Sequence, residues 1–393
     1  MQIIEFTADS LRFVDALPTQ APADGFVWIY LDRDDFELHQ ARLQEAAQQL
    51  GGSALLDLHC QDLGSAVHPS HYDYTSVYDL VIFRRLATQM ETRAEAEHEA
   101  AIQAYHGQGA DPKARPRIAG KGGLPAFNRI SSKAVGFVVF DRLLVSVHPR
   151  GCYTAKSFIE RFLGDAKFSV DAVRLDSASA RSRIPSSPAD LVLRMVNAMV
   201  DSYLDLRKEL TSQLEHWQSE LLKPNSRFNN WGALMTARSQ LSLLEDLCDE
   251  QHDAMQEWLD SLREQPLSTF AADARLAQAQ RDQLVARARD VIEHIERVVR
   301  HARRLEQSAE TVVQIHFSAQ SNRTNDVMRT LTALTAIFLP LNLITGFFGM
   351  NFEAFPMIHH PNGLWWTIGV MVLIAVGMGL VFWRKRYLAR TRR

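Results

Sequence analysis

Cysteine is scarce. The 393-residue chain has three, Cys60, Cys152 and Cys248, far apart and with no CxxC spacing. An odd number at such distances argues against a disulfide framework or a thiolate zinc site, and fits a chain held mostly in a reducing cytosol. Net charge is lacking too. The 43 Lys and Arg stand against 46 Asp and Glu, which gives no global reason to expect a nucleic-acid partner. The start, MQIIEFTADS, has no basic segment leading into an apolar one, so no cleaved signal peptide is expected. No G-x-S-x-G, Walker A, H-E-x-x-H or dinucleotide-binding glycine pattern occurs, and the acids and histidines form no catalytic constellation. Neither an enzyme nor a resident cofactor is expected.

The most informative absence is charge in the C-terminal part. Leu331–Met350 (LTALTAIFLPLNLITGFFGM) and Leu364–Trp383 (LWWTIGVMVLIAVGMGLVFW) each run 20 residues without Asp, Glu, Lys or Arg. As helices they would each cover roughly 30 Å, the thickness of the bilayer hydrocarbon. A buried helical hairpin in a large soluble protein is the alternative. The flanks set a direction. RKRYLARTRR follows the second run, Arg323 and Arg329 precede the first, and the connecting NFEAFPMIHHPNG has one acid and no Lys or Arg. The positive-inside rule then places both termini in the cytosol and the connection outside, with Trp365, Trp366 and Trp383 as interfacial anchors.

The two runs differ. The first carries Thr332, Thr335, Pro340, Asn342 and Thr345, and polar groups facing lipid are costly. Asn325, Thr335, Asn342 and Gly346 are spaced 10, 7 and 4 residues apart, close to whole helical turns, so they share one broad face. A single hairpin cannot hide that face, so several copies of the first span are expected around an axis. Ordinary helix–helix packing through small and polar residues would draw on the same composition.

Upstream, residues 272–330 contain no Pro or Gly. Leu284, Ala288, Val291, Ile295, Val298, Ala302, Leu305, Ala309 and Val312 alternate spacings of four and three, a heptad seam. A helix running unbroken from here into the first span would be roughly 110 Å long. Two further helical stretches, 189–222 and 230–262, flank the turn-like KPNSRFN and suggest an antiparallel pair beside the long stem. Glu245, Asp246, Asp249, Glu250 and Asp253 form a dense acidic patch, either a solvated face or a place where cations collect.

Residues 1–186 read as an α/β or α+β domain. β-type runs recur at 3–6, 25–31, 77–86 and 134–149, the last with a turn near Asp141-Arg142, and helices are expected near 34–50 and 153–163. The Ala-, Glu-, Gly-, Lys- and Pro-rich stretch 91–128 reads as a flexible insertion. HPSHYDY groups His68, His71 and Asp73, a loose candidate for metal binding; a surface turn fits it better, because Pro69 precludes a regular helix and a metal needs more ligands.

The strip TNDVMRTLTALTAIFLPLNLITGFFGMNFE, with Gly349-Met350-Asn351 at the outer end of the penultimate span, closely resembles the pore helix and signature of the CorA-type divalent cation channels. Sequence likeness is strong over 318–353, weaker over 189–262, and patchy at LLDLHCQDL and YDLVIFRRL. The 91–128 insertion departs from the family. The resemblance implies an α+β fold: a cytoplasmic α/β domain (1–186), a helical stalk (187–326), a pore-lining transmembrane helix (327–350), an external loop (351–363), a second transmembrane helix (364–384) and a basic tail (385–393). The whole would assemble as a funnel-shaped homopentamer in the inner membrane.

Carried over by position, Gly349, Met350 and Asn351 would form the selectivity filter and Glu353 an external acidic ring. Asn325, Met328, Leu331, Thr335, Leu339, Asn342 and Gly346 would line the pore, with Met328, Leu331 and Leu339 as its hydrophobic gate. Position 342, often Thr in the family, is Asn here. Asp290, in RARDVIEH, matches one ligand position of a cytosolic regulatory Mg²⁺ site between subunits, without a placed partner. The implied activity is Mg²⁺ uptake, extending to Co²⁺ or Ni²⁺, with further copies of the chain, the lipid bilayer and divalent metal ions as partners. Zn²⁺-transporting relatives share the architecture, and His359-His360 are the residues that would favour zinc. A two-span coiled-coil sensor is the reading from another class, although the short external loop leaves little room for a sensing domain.

Overall fold

The structure, a computed structural model, describes residues 1–7, 11–87, 130–152, 184–221, 231–264, 274–350 and 362–384, with Phe158 and Glu160. Two compact units divide it: residues 1–216 with 229–309, and 217–228 with 310–393.

The first unit is built on a seven-stranded sheet. Its strands are β1 (Gln2–Thr7), β2 (Leu11–Val14), β3 (Gly25–Asp32), β4 (His71–Tyr74), β5 (Asp79–Leu86), β6 (Ser132–Val139) and β7 (Leu143–His148), in the order β2-β1-β3-β7-β6-β5-β4. Every neighbouring pair is antiparallel except β3 with β7. The β6–β7 hairpin turns at Asp141-Arg142, closed by Phe140 N–H donating to the Leu143 carbonyl at 2.9 Å. β3 and β7 are buried along nearly their whole length, which is why they read as continuous apolar runs rather than alternating ones.

One sheet face packs Val27, Ile29, Leu31, Leu80, Ile82 and Val145 against α1 (Phe36–Ala46) and α2 (Asp57–Gly64), through Phe36, Leu43, Cys60 and Leu63. A Cβ on Gly136 would stand 2.5 Å from Leu63 Cδ2, so glycine is what lets α2 lie this close to β6. The other face buries Ile4, Phe26, Trp28, Phe83 and Phe137. There α3 (Pro188–Asp201) lies on β5 and β6, and α5 (Trp231–Glu264) on β4 and β5.

The start of α3 follows from sequence chemistry. Pro188 occupies its first turn, Ser187 Oγ accepts the Asp190 amide at 3.2 Å, and Asp190 Oδ2 accepts the Ser186 amide at 3.1 Å, a reciprocal cap. The 189–222 stretch is not one helix. Ser202 Oγ donates to the Met199 carbonyl at 2.6 Å and competes with the helical ladder, so α3 ends at Asp201 and α4 spans Tyr203–Leu221.

α6 (Ala274–Phe348) is one 75-residue helix that passes through Pro340. Its seam is buried at Ala288, Val291, Ile295, Val298, Ala302, Leu305 and Ala309, and Leu284 is half-buried. The partners are helices of the same chain. Pairs 190–287 and 201–294 advance together, whereas 238–306 and 252–296 run oppositely. α3 is therefore parallel to α6 and α5 antiparallel to it, so α3 and α5 run oppositely beside α6, as expected of the stretches 189–222 and 230–262. α7 (Gly363–Arg384) completes the second unit.

A further expectation changes at the sheet edge. HPSHYDY is not simply a surface turn: His71–Tyr74 form edge strand β4, paired with β5 from His71–Ile82 to Tyr74–Asp79. The short strand β2 and the helix α2 carry too few periodic positions to show in sequence. The helix expected near 153–163, the turn KPNSRFN and the 91–128 insertion lie largely or wholly outside the described residues.

Candidate functional site

The apolar stretches of α6 and α7 are long enough to cross a membrane, and they are scarcely buried within the chain: 6% for α6 and none for α7. A soluble core helix would be covered. Among the described residues these are not, as is expected of spans covered by lipid or by further copies.

Within α6, Asn325, Met328, Leu331, Thr335, Leu339, Asn342 and Gly346 are all exposed. Met328 and Leu331 are each 58% exposed and Leu339 is 65%, large values for apolar groups. A Cβ on Gly346 would meet nothing within 4 Å. The seven positions thus form one uncovered stripe that mixes neutral polar groups with apolar ones.

The threonines on this helix share a geometry. Thr332 Oγ1 donates to the Met328 carbonyl at 2.8 Å, Thr335 Oγ1 to the Leu331 carbonyl at 2.9 Å, and Thr345 Oγ1 to the Asn342 carbonyl at 3.1 Å. With each hydroxyl proton spent on its own helix, the threonine oxygen offers only lone pairs to whatever lies beyond. That suits a ligand whose outer surface is made of water hydrogens.

The helix ends at Phe348. Gly349 N–H still donates to the Thr345 carbonyl at 2.9 Å, and Met350 N–H reaches the Phe347 carbonyl at 3.4 Å. A Cβ on Gly349 would sit 2.9 Å from the Thr345 oxygen, so glycine there answers a backbone contact inside the chain. Gly346 and Gly349 therefore differ: the first stands in open space, the second against the backbone one turn below. Asn351, Glu353, His359 and His360 lie outside the described residues.

Asp290 is exposed on α6, with its carboxylate 3.7 Å from His294 Nε2, whose Nδ1 faces Asp201 at 3.1 Å. Part of the acidic patch on α5 is engaged in contacts with other elements, while Asp246 and Asp253 are exposed. Glu245 and Asp249 pair with Arg303, and Glu250 accepts the Ser70 amide at 3.3 Å. Asp73 does not join His68 and His71 around a metal. It meets His59 Nε2 at 3.1 Å, while His59 Nδ1 meets the Tyr78 hydroxyl at 2.9 Å. Among the described residues no group of three or more His, Cys, Asp or Glu side chains could hold a metal ion.

Residues 126–386 match the family described as CorA-like Mg2+ transporter protein. Over 219 residues the chain is 27% identical to the cobalt/magnesium transport protein CorA of Thermotoga maritima, a match covering 56% of this chain and 58% of that protein. It is similar in fold to the complete structure of the CorA magnesium transporter from Methanocaldococcus jannaschii, with a TM-score of 0.67 and 14% identity over 98% of this chain and 97% of that one. Full-length CmaX is similar as well, with a TM-score of 0.62, 16% identity and coverage of 98% and 97%. These structural likenesses establish the fold: an α/β domain, a long helix and a C-terminal apolar helix. With 261 of its 393 residues inside the family match (126–386), the chain belongs to the CorA-like Mg2+ transporter family.

Proposed function

We propose that the chain is the subunit of a membrane channel that admits hydrated Mg²⁺, and with it Co²⁺ or Ni²⁺, along a path lined by copies of α6. The observation that carries this reading is the uncovered stripe from Asn325 to Gly346, with no charged side chain on it, inside an apolar helix that the chain itself leaves unburied. Membership of the family supports it.

The assembly is a homopentamer in the inner membrane with both termini in the cytosol. Residues 1–186 and 187–326 form the α/β and stalk portions, 327–350 and 364–384 the spans, 351–363 the external loop and 385–393 the basic tail. Five copies place Gly349, Met350 and Asn351 in a ring at the outer end, with Glu353 just beyond it.

Mg²⁺ is small and gives up its water reluctantly. Bare carboxylates in the path would either strip that water at high cost or trap the ion. Amide and backbone carbonyl oxygens at 349–351 instead accept hydrogen bonds from the ion's first water shell, and conduction proceeds through weak, repeated sites. Glu353 raises the local cation concentration without deep coordination. Below, the acceptor oxygens of Asn342 and Thr335 alternate with Leu339, Leu331 and Met328, whose apolar rings stop flow by dewetting when they close. Asp290, on the exposed side of the stem, acts as one ligand of a cytosolic Mg²⁺ bound between copies, which holds the closed state.

Mg²⁺ uptake into proteoliposomes of the purified full chain tests the reading, with Co²⁺, Ni²⁺ and Zn²⁺ in parallel. Mg²⁺ flux that is lost in Asn351→Ala is expected. Equal flux from wild type and Asn351→Ala would sink the filter assignment, and uptake of zinc alone would replace Mg²⁺ as the substrate.

A further inference from the structure

We infer that Phe317 forms a second apolar ring on the same path, on the cytosolic side of the spanning run, and that the stretch between it and Met328 is a neutral polar chamber for a hydrated divalent cation. This rests on the reading of α6 as pore-lining helix.

The phase of the helix carries the inference. Phe317 and Thr335 are 18 residues apart on the unbroken α6, which is five turns at about 3.6 residues per turn. Phe317 therefore lies in line with Thr335. Ser321, Thr324 and Met328 fall within about 40° of the same line. The three charged residues of this stretch fall elsewhere: Arg323, Asp326 and Arg329 lie about 120°, 180° and 120° away. Arg329 and Asp326 pair with each other at 3.9 Å. Segregation of all three charges away from one line, over a stretch that is exposed throughout, is what a lumen-facing stripe requires and a uniformly solvated helix does not.

The chemistry along that line changes in order. Phe317, 60% exposed, is a large apolar side chain with its ring edge-on to His316 at 6.2 Å. Above it come Ser321 and Thr324, and Thr324 Oγ1 donates to the Gln320 carbonyl at 3.1 Å. As at Thr335, the hydroxyl proton is already used, so the oxygen faces outward as an acceptor. Met328 and Leu331 then close the top. The chamber is about 16 Å long at 1.5 Å per residue, enough for a cation with its water shell. Acceptor oxygens in the middle hold the ion through its water, and the apolar rings at both ends make leaving the rate-setting step.

Phe317 is thus a residue that limits exit to the cytosol. Replacing it by alanine widens and wets the ring. Phe317→Ala is expected to raise the initial rate of Mg²⁺ uptake into proteoliposomes by roughly two-fold or more, while Phe317→Leu, which keeps an apolar ring, stays near wild type. A second readout does not depend on how alanine packs. Phe317→Cys, modified with a cationic methanethiosulfonate reagent, places fixed positive charge in the ring and is expected to cut flux several-fold. Asp326→Cys, on the opposite side of the helix, is expected to conduct unchanged after the same treatment. The native cysteines are buried, and treated wild type gives the background. If wild type conducts but Phe317→Ala matches it and modified Phe317→Cys conducts as before, Phe317 lies off the path and the inference fails. If wild type itself carries no Mg²⁺, the channel reading falls first and this one with it.

Discussion

The amide of Gly349 lies 2.9 Å from the carbonyl oxygen of Thr345, and a Cβ on Gly349 would stand 2.9 Å from that same oxygen. The last turn of α6 and the first residue of the proposed filter are therefore fixed by one backbone contact that only glycine permits. Gly349→Ala must push the backbone away from Thr345 at a strain cost of about 1–3 kcal/mol, displacing Met350 and Asn351. Mg²⁺ flux is expected to fall several-fold while the mass of the assembly in detergent stays unchanged. Wild-type flux from Gly349→Ala would show that the filter tolerates this displacement.

Thr335 gives a test of the acceptor argument. Its hydroxyl donates to Leu331 O at 2.9 Å, so only its lone pairs face outward. Thr335→Val keeps the shape and removes the acceptor; Thr335→Ser keeps the acceptor. Flux is expected to drop in the valine variant and to survive in the serine one, as read from initial rates at several Mg²⁺ concentrations. Equal rates would mean that this position merely fills space.

Trp258 Nε1 donates to Asp79 Oδ2 at 3.2 Å, and the Tyr72 hydroxyl to Asp79 Oδ1 at 3.1 Å, all three residues being buried. This carboxylate fastens α5 to the edge of the sheet. Trp258→Phe removes a donor from a buried acceptor and should cost about 1–3 kcal/mol, seen as a lower unfolding midpoint of the full chain in detergent. An unchanged midpoint would mean that Asp79 is satisfied without the indole.

His301 predicts acid sensitivity in the stem. Thr211 Oγ1 donates to Arg207 O at 2.9 Å, so it accepts from His301 Nε2–H at 3.3 Å, which leaves Nδ1 to accept from the Tyr203 hydroxyl at 2.9 Å. Both ring nitrogens are thereby used in the neutral form. Burial, with Arg207 and Arg304 adding repulsion, pushes the imidazole down from 6.5 to about 4. The unfolded chain therefore takes up this proton before the folded chain does. The stability contribution is full above pH 6.5 and is lost as pH falls through about 4. His148, pushed to about 3 by burial beside Arg85 and Arg33, acts in the same direction. His301→Gln is expected to reduce, without abolishing, the fall in melting temperature between pH 7 and pH 4 (about three pH units, spanning the window). An identical slope would assign the acid loss to other groups.

Much of the architecture was legible because it rests on local patterns. The uncharged runs mark α6 and α7, the four–three alternation from Leu284 to Ala309 marks a seam that is indeed buried from Ala288 onward, and the turn at Asp141-Arg142 marks the β6–β7 hairpin. The exposed stripe of α6 follows from helical period alone. Short elements were not legible: β2, β4 and α2 have four, four and eight residues, too few for a period to emerge from composition.

Roles that depend on distant partners were not legible either. The acids of α5 read as a possible cation collector, yet Glu245 and Asp249 hold Arg303, some fifty or more positions away in sequence. Asp73 read as a candidate ligand beside His68 and His71, yet it faces His59.

By itself, the sequence determined which segments seek an apolar medium and which face of α6 stays polar within it, because hydrophobic period and charge segregation are properties of a single helix. Only the tertiary structure decided which carboxylates are already engaged, that the seam of α6 is satisfied by helices of its own chain, and that Gly349 answers to Thr345 whereas Gly346 stands open. Those outcomes depend on contacts between groups remote in sequence, or on a backbone contact as close as 2.9 Å, and no local pattern encodes either.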